Sequence, residues 1–158
     1  TKNVPLHYDD MALDTYEFIK KMHLENLTLF GFSDGAIIGM ILASKHPHLI
    51  GKLILAGGSL EPKGVKNTFF KMMEDDYRKY EDPFIKLMLT EPNITTNDLK
   101  TIKCQTLVLA GEHDVIRRAH TKKIHQNIDG SKLIIIKDHT HESYIMHSDY
   151  LKEIILNF

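Results

Sequence analysis

Residues 27–42 have the sequence LTLFGFSDGAIIGMIL, and this stretch decides the fold. Leu27–Phe30 is a short β-prone run that ends at Gly31. From Ala36 to Ser44 the side chains are apolar on nearly every face of a helix. The stretch therefore predicts a strand, a tight turn and a buried helix.

The turn contains a G-x-S-x-G pattern, Gly31-Phe32-Ser33-Asp34-Gly35, in the strand-to-helix context that a nucleophilic serine requires. A sharp turn holds its serine in strained dihedrals, so that the hydroxyl projects above the sheet, and we expect small neighbours at Gly31 and Gly35 to permit this. The backbone N–H of Asp34 would then face a developing oxyanion. The alternative is a glycine-rich turn with an incidental serine. A phosphate-binding loop is disfavoured because no Lys-Ser or Lys-Thr pair follows the glycines.

The rest of the chain alternates between strand-like and helix-like segments. Further strands are predicted at Lys52–Ala56, Cys104–Ala110 and Lys132–Ile136. Further helices are predicted at Tyr8–His23, at Ala119–Asn127 and from Ser143 or Tyr144 to Leu156. Apolar strands that alternate with helices indicate an α/β fold, a mostly parallel sheet between two helical layers.

The segment from Ser59 to Asn97 interrupts this alternation. Within it, Val65–Tyr80 has the spacing of an amphipathic helix that carries Phe69, Phe70 and Met73 on its apolar face. The simpler interpretation is that this face packs against the core of the protein. The functional alternative is that the same face covers a substrate pocket.

Acidic and basic side chains follow the last two predicted strands. Glu112 and Asp114 come after the strand that ends at Ala110, and His139 and His141 come after the strand that ends at Ile136. A serine nucleophile needs a base and an orienting carboxylate, and parallel strands bring such groups to one edge of the sheet. The order serine, acid, histidine is typical of one hydrolase fold. Spacing favours Asp114 over Glu112, and His139 and His141 are both candidates for the base.

These segments together resemble the α/β-hydrolase family, and within it small serine esterases of the biphenyl hydrolase-like type. The matching pieces are residues 31–35, 107–114 and 137–144. The resemblance covers nearly the whole chain from about Val4 and implies one hydrolase domain over residues 1–158 with a helical lid at 59–97. It implies Ser33 as nucleophile, Asp114 as orienting acid and His141 as general base.

The same resemblance assigns Asp34 to binding the amino group of an aminoacyl ester, while the alternative is that Asp34 caps the following helix. With Asp34, we expect Phe32, Phe69, Phe70 and Met73 to contact the substrate. The predicted function is a serine hydrolase that cleaves a small carboxylic ester. A thioesterase, a peptidase or a carbon–carbon bond hydrolase would use the same three residues, and a catalytically silent interaction module would keep only the scaffold.

Composition limits the partners. The formal net charge is −1, with no long charged run, which disfavours nucleic acid and anionic membrane as partners. A single cysteine, Cys104, cannot form an internal disulfide, and no apolar stretch approaches the roughly 20 residues of a membrane span. These features predict a cytoplasmic protein. The ten histidines lie on different predicted elements without metal-ligand spacing, so no metal or other cofactor is expected, and a structural zinc is the minor alternative.

In the family that the chain resembles, a second oxyanion donor comes from a loop that follows an earlier strand. No such segment precedes Val4, and the sequence is therefore expected to be an N-terminally truncated member of the family. The strand at Leu27–Phe30 would then leave an apolar edge open, where a second copy of the chain could pair as a homo-oligomer.

Overall fold

The computed structural model describes residues 5–158, and its centre is a four-stranded parallel sheet in the order β1-β2-β3-β4. The strands are β1 Leu27–Phe32, β2 Ile50–Ala56, β3 Gln105–Gly111 and β4 Lys132–Ile136. Each of the four predicted strands is present, with ends that agree within two residues. The segment before Val4, on which the predicted truncation rests, lies outside the described residues.

Helices cover both faces of this sheet. They are α1 Tyr8–Lys21, α2 Asp34–Lys45, α3 Asn67–Tyr80, α4 Pro83–Thr90, α5 Thr96–Thr101, α6 Arg118–Asn127 and α7 Leu151–Leu156. On one face Leu53 and Val108 pack with side chains of α1, α2, α5 and α6. On the other face Ile54 and Leu109 pack with the C-terminal segment that contains α7. The predicted three-layer α/β/α architecture is confirmed.

The prediction of a long C-terminal helix is wrong over its first half, since α7 begins only at Leu151. The N–H groups of Ile145 and Met146 both donate to the carbonyl of Glu142, which makes a single turn. His147 follows with a φ of +52°, a left-handed conformation that a helix does not continue through. The apolar residues that suggested a helix, Tyr144 among them, instead pack on the sheet.

Between β2 and β3 the chain leaves the sheet to form α3 and α4. The apolar faces of these two helices meet one another and Ile116, in a cluster separate from the sheet cores. α5 begins at Thr96, inside the predicted 59–97 segment, and its Leu99 is fully buried in the main core. The helices that stand apart from the sheet are therefore α3 and α4.

The parallel arrangement places the carboxyl ends of all four strands at one edge of the sheet. β1 lies at the side of the sheet and pairs with β2 alone among the described residues, and its Phe30 is 39% exposed. Within residues 5–158 the longest helices have 14 residues, and no helix combines the length and the apolarity needed to cross a bilayer.

Candidate active site

The turn between β1 and α2 holds Ser33 in a strained conformation. Ser33 has a φ of +53° and a ψ of −114°, and its N–H donates to the carbonyl of Ala56 at the end of β2. A Cβ atom on Gly31 would overlap the carbonyl group of Gly35, so the turn requires glycine at position 31. A Cβ atom on Gly35 would meet nothing within 4 Å in the part of the chain that the structure describes. The expected need for a small residue is thus supported by contacts at Gly31 and has no such support at Gly35.

Ser33, His141 and Asp114 form a hydrogen-bonded chain of side chains. The hydroxyl of Ser33 lies 3.1 Å from Nε2 of His141, and Nδ1 of the same ring lies 2.8 Å from Oδ1 of Asp114. The side chains of His141 and Asp114 are 14% and 2% exposed, which shields this chain from water. His139 lies elsewhere, with Nδ1 3.0 Å from the hydroxyl of Ser143. The structure therefore places His141, not His139, between Ser33 and Asp114.

Asp114 is fixed by the loop that follows β3. Its carboxylate accepts hydrogen bonds from the N–H groups of Gly111, at 3.3 Å, and Ile116, at 2.9 Å. Glu112, the alternative acid, is exposed and accepts from the N–H of Asp138. Asp114 is thus the buried carboxylate of this loop.

Two glycines that the sequence analysis did not single out make room for His141 and for the loop that precedes it. A Cβ atom on Gly57, whose φ is +62°, would press on the imidazole ring of His141. A Cβ atom on Gly111 would overlap the carbonyl oxygens of His139 and Thr140. Both glycines lie at the carboxyl end of a strand, and this position was the available signal in the sequence.

A cavity opens beside Ser33. Its apolar wall includes Phe69 and Met73, as the sequence analysis expected. Phe32 and Phe70 are not among the lining residues: Phe32 packs 4.8 Å from the ring of His141, and Phe70 belongs to the apolar cluster of α3 and α4. The carboxylates that line the cavity belong to Asp34, Glu61 and Glu91, and no described lysine or arginine lines it.

The chain is similar in sequence to known proteins. The human serine hydrolase BPHL is 23% identical over 172 aligned positions, which cover 93% of this chain and 59% of the human protein. An abhydrolase domain-containing protein of Schizosaccharomyces pombe is 29% identical over 73% of this chain and 37% of its own length. No protein-family model matches the chain. This chain spans about 59% of the length of the human relative.

Solved structures share the fold of this chain. The esterase EaEST from Exiguobacterium antarcticum superimposes with a TM-score of 0.81 at 20% identity, over 98% of this chain and 74% of the esterase. The meta-cleavage product hydrolase CumD from Pseudomonas fluorescens gives a TM-score of 0.74 at 13% identity, over 99% of this chain and 73% of that protein. The chain has the α/β-hydrolase fold.

Asp34 is the first residue of α2 and lines the cavity. The N-cap position belongs to Ser33, and Oδ1 of Asp34 accepts a hydrogen bond from the hydroxyl of Tyr8 at 2.7 Å. Burial, and then the hydrogen bond to Asp34, raises the pKa of the Tyr8 phenol well above its usual value. The sequence analysis missed Tyr8 because nothing in its local sequence marks a contact with a residue 26 positions away.

One set of side chains among the described residues could hold a cation. Donor atoms of Glu112, His113 and Asp138 lie within 4.8 Å of one another on the loops after β3 and β4. All three residues are exposed, so a bound cation there would compete with water for each ligand. The sequence analysis did not group these residues.

Proposed function

We propose that this α/β-hydrolase chain carries the nucleophile, base and acid of a serine hydrolase that cleaves a small carboxylic ester. The observation that supports this proposal is the continuous arrangement of Ser33, His141 and Asp114, with distances of 3.1 and 2.8 Å between successive partners. The side chains of His141 and Asp114 are well shielded from water, and Ser33 lines the cavity. This is the geometry that converts a weakly nucleophilic hydroxyl into an attacking group.

The reaction begins when Oγ of Ser33 attacks the ester carbonyl and Nε2 of His141 takes the hydroxyl proton. Asp114 holds the imidazole through Nδ1 and stabilises the imidazolium that forms. Collapse of the tetrahedral intermediate breaks the bond to the alcohol oxygen, which leaves with the proton from His141. A water molecule, deprotonated by His141, then attacks the acyl carbon. The bond between this carbon and Oγ of Ser33 breaks, Oγ takes the proton back from His141, and the carboxylic acid is released.

The oxyanion of the intermediate would be stabilised by the N–H of Asp34. Asp34 is the first residue of α2, and the first N–H groups of a helix have no partner within the helix. The positive end of the helix dipole adds to this effect. The strained backbone at Ser33 is what brings the nucleophile close to this helix terminus.

We further propose that the preferred ester carries an α-amino group. Asp34, Glu61 and Glu91 line the cavity, and His141 is the one basic side chain among its described lining residues. An ammonium group is attracted by this set of charges, and a carboxylate is repelled. Asp34 is the carboxylate adjacent in sequence to the nucleophile, so we assign the amino group to it.

The relatives support hydrolysis more strongly than any one substrate. BPHL is named a serine hydrolase and EaEST an esterase, whereas CumD is named a meta-cleavage product hydrolase. A carbon–carbon bond hydrolase therefore remains the second candidate, alongside a scaffold without turnover.

We also propose a cytoplasmic site of action and a small molecule as the main partner. Burial raises the pKa of the Cys104 thiol, which keeps it protonated and unreactive.

The test compares hydrolysis of L-leucine methyl ester with hydrolysis of methyl 4-methylpentanoate, its deaminated analogue. We expect the unmodified chain to prefer the amino ester in kcat/KM by about tenfold, equivalent to about 1.4 kcal/mol. Ser33→Ala should lower kcat for both esters by about 10⁴-fold or more. Asp34→Asn should remove the preference because it removes the charge and keeps the shape.

Ser44→Ala is the matched control, because Ser44 lies on α2, which follows Ser33, and its hydroxyl bonds only to the backbone carbonyl of Ile41 among the described residues. Labelling with a fluorophosphonate, in which Oγ of Ser33 displaces fluoride at phosphorus, distinguishes the classes of function. Labelling that Ser33→Ala abolishes and Ser44→Ala retains supports the enzyme. The absence of both labelling and hydrolysis would contradict the proposed activity and favour a silent scaffold.

A further inference from the structure

Tyr8 joins the first helix to the residue beside the nucleophile. Its side chain is 1% exposed, and its hydroxyl donates to Oδ1 of Asp34 at 2.7 Å. Both residues line the cavity that contains Ser33. Among the described residues, the Tyr8 hydroxyl is the one side-chain donor within hydrogen-bonding distance of the Asp34 carboxylate.

The backbone of Tyr8 is fixed from a second direction. The carboxylate of Glu91, at the end of α4, accepts from the N–H of Tyr8 at 3.0 Å and also contacts Nδ1 of His7. α1 has no side-chain cap of its own at its N-terminus, so Glu91 supplies the acceptor there. The phenol that reaches Asp34 is thus anchored both by the packing of α1 and by Glu91 at the end of α4.

A carboxylate has two oxygens and rotates freely unless a donor fixes it. A hydrogen bond to Oδ1 from a rigid, buried phenol sets the plane of the Asp34 carboxylate and leaves Oδ2 without a described side-chain partner. Burial and the hydrogen bond to Asp34 raise the pKa of Tyr8, so the phenol remains a donor across the working pH range. A pre-oriented acceptor recognises an ammonium group better than a mobile one because less rotational freedom is lost on binding.

We propose that Tyr8 is a positioning residue for charge recognition, holding the Asp34 carboxylate with one oxygen directed at a substrate ammonium group. The inference rests on the proposed binding of an amino ester at Asp34 and adds the group that makes this site selective. Charge alone near the nucleophile would attract any cation weakly. The orientation imposed by Tyr8 favours an ammonium group held at a fixed position relative to the ester carbonyl.

The experiment measures binding, so that it does not depend on turnover. In the full chain with Ser33→Ala, the dissociation constants of L-leucinamide and 4-methylpentanamide are measured by calorimetry at about pH 7, where the amine is mostly protonated. We expect a preference of about tenfold for leucinamide. Adding Tyr8→Phe should lower this preference by about threefold or more, and adding Asp34→Asn should abolish it.

Tyr16→Phe is the matched control. Tyr16 lies on the same helix, stacks on His46 and does not line the cavity, so this variant should keep the full preference. The ratio for two ligands of nearly equal shape is insensitive to a general loosening of the fold. Asp34→Glu is a second variant that does not depend on the stability of Tyr8→Phe. It keeps the charge but moves the carboxylate by one methylene, and it should also lower the ratio.

An unchanged ratio in Tyr8→Phe, or in Asp34→Glu, would overturn the positioning role while leaving the charge of Asp34 in place. No preference in the Ser33→Ala chain would overturn both the role of Tyr8 and the assignment of the amino group. A clear binding preference without any ester hydrolysis by the unmodified chain would instead contradict the proposed reaction and leave the role of Tyr8 standing.

Discussion

At the scale of single residues, the turn at Ser33 makes different demands on its two glycines. A methyl group on Gly31 would overlap the backbone carbonyl of Gly35, and backbone atoms cannot move aside without opening the turn. A methyl group on Gly35 would meet no described atom within 4 Å. We expect Gly31→Ala to lower the free energy of unfolding by about 2–4 kcal/mol and Gly35→Ala to change it by less than about 1 kcal/mol. Equilibrium unfolding in urea measures both, and equal losses would show that the contact at Gly31 does not control the turn.

At the scale of elements, the strands could be predicted because each is a short apolar run bounded by glycine or polar residues. The turn at Ser33 could be predicted because its motif constrains the backbone. The C-terminal segment could not, since Tyr144 and Ile145 have helical spacing but lie in a single turn that the left-handed His147 ends. The contact between Tyr8 and Asp34 depends on how α1 packs across α2, which no local pattern records.

His120 connects two elements and makes their contact sensitive to pH. The residue lies on α6, is nearly fully buried, and its Nε2 accepts from the N–H of Leu60, where the chain leaves the sheet toward α3. Burial lowers the pKa of His120; Glu61 opposes this shift, while Lys123 and Arg117 reinforce it. The imidazole is therefore held neutral, and protonation would turn its acceptor into a donor that faces another N–H group.

Because the pKa of His120 is lower in the folded chain than its usual value of 6.5, the folded state binds fewer protons than the unfolded state below that pH. The contribution of neutral His120 to the free energy of unfolding is complete above about pH 6.5. It is lost as the pH falls through the pKa that His120 has in the folded chain. We expect the free energy of unfolding to decrease on acidification toward about pH 5, and His120→Gln to weaken this dependence while costing stability at neutral pH. His125→Gln, on the same helix, is the control for replacing a histidine of α6 by glutamine. A His120→Gln slope identical to that of the control would contradict this assignment.

At the scale of the whole molecule, the two edge strands of the sheet differ in their side chains. β1 and β4 are the two edge strands, and within residues 5–158 neither has a strand on its outer side. β4 begins with the charged Lys132, whereas β1 begins with the apolar Leu27. Phe30 and Phe32 lie on the same face of β1. Phe32 packs against Tyr144 of the C-terminal segment, whereas Phe30 is exposed to solvent. An open strand edge with an exposed aromatic side chain is a template for pairing with another strand.

We therefore expect this 158-residue chain to self-associate through β1, with a weight-average mass that rises with concentration in sedimentation velocity. Phe30→Lys should reduce the association, because a charged side chain on an edge strand opposes the approach of a second edge. Leu156→Lys is the matched control: Leu156 is 70% exposed on α7, so its replacement removes a comparable apolar surface away from β1. If both variants lower the mass equally, general apolar contact rather than strand pairing causes the association. A chain that remains monomeric at tens of micromolar and above would rule out the β1 edge as an interface, because an unpaired apolar edge free to pair should associate at such concentrations.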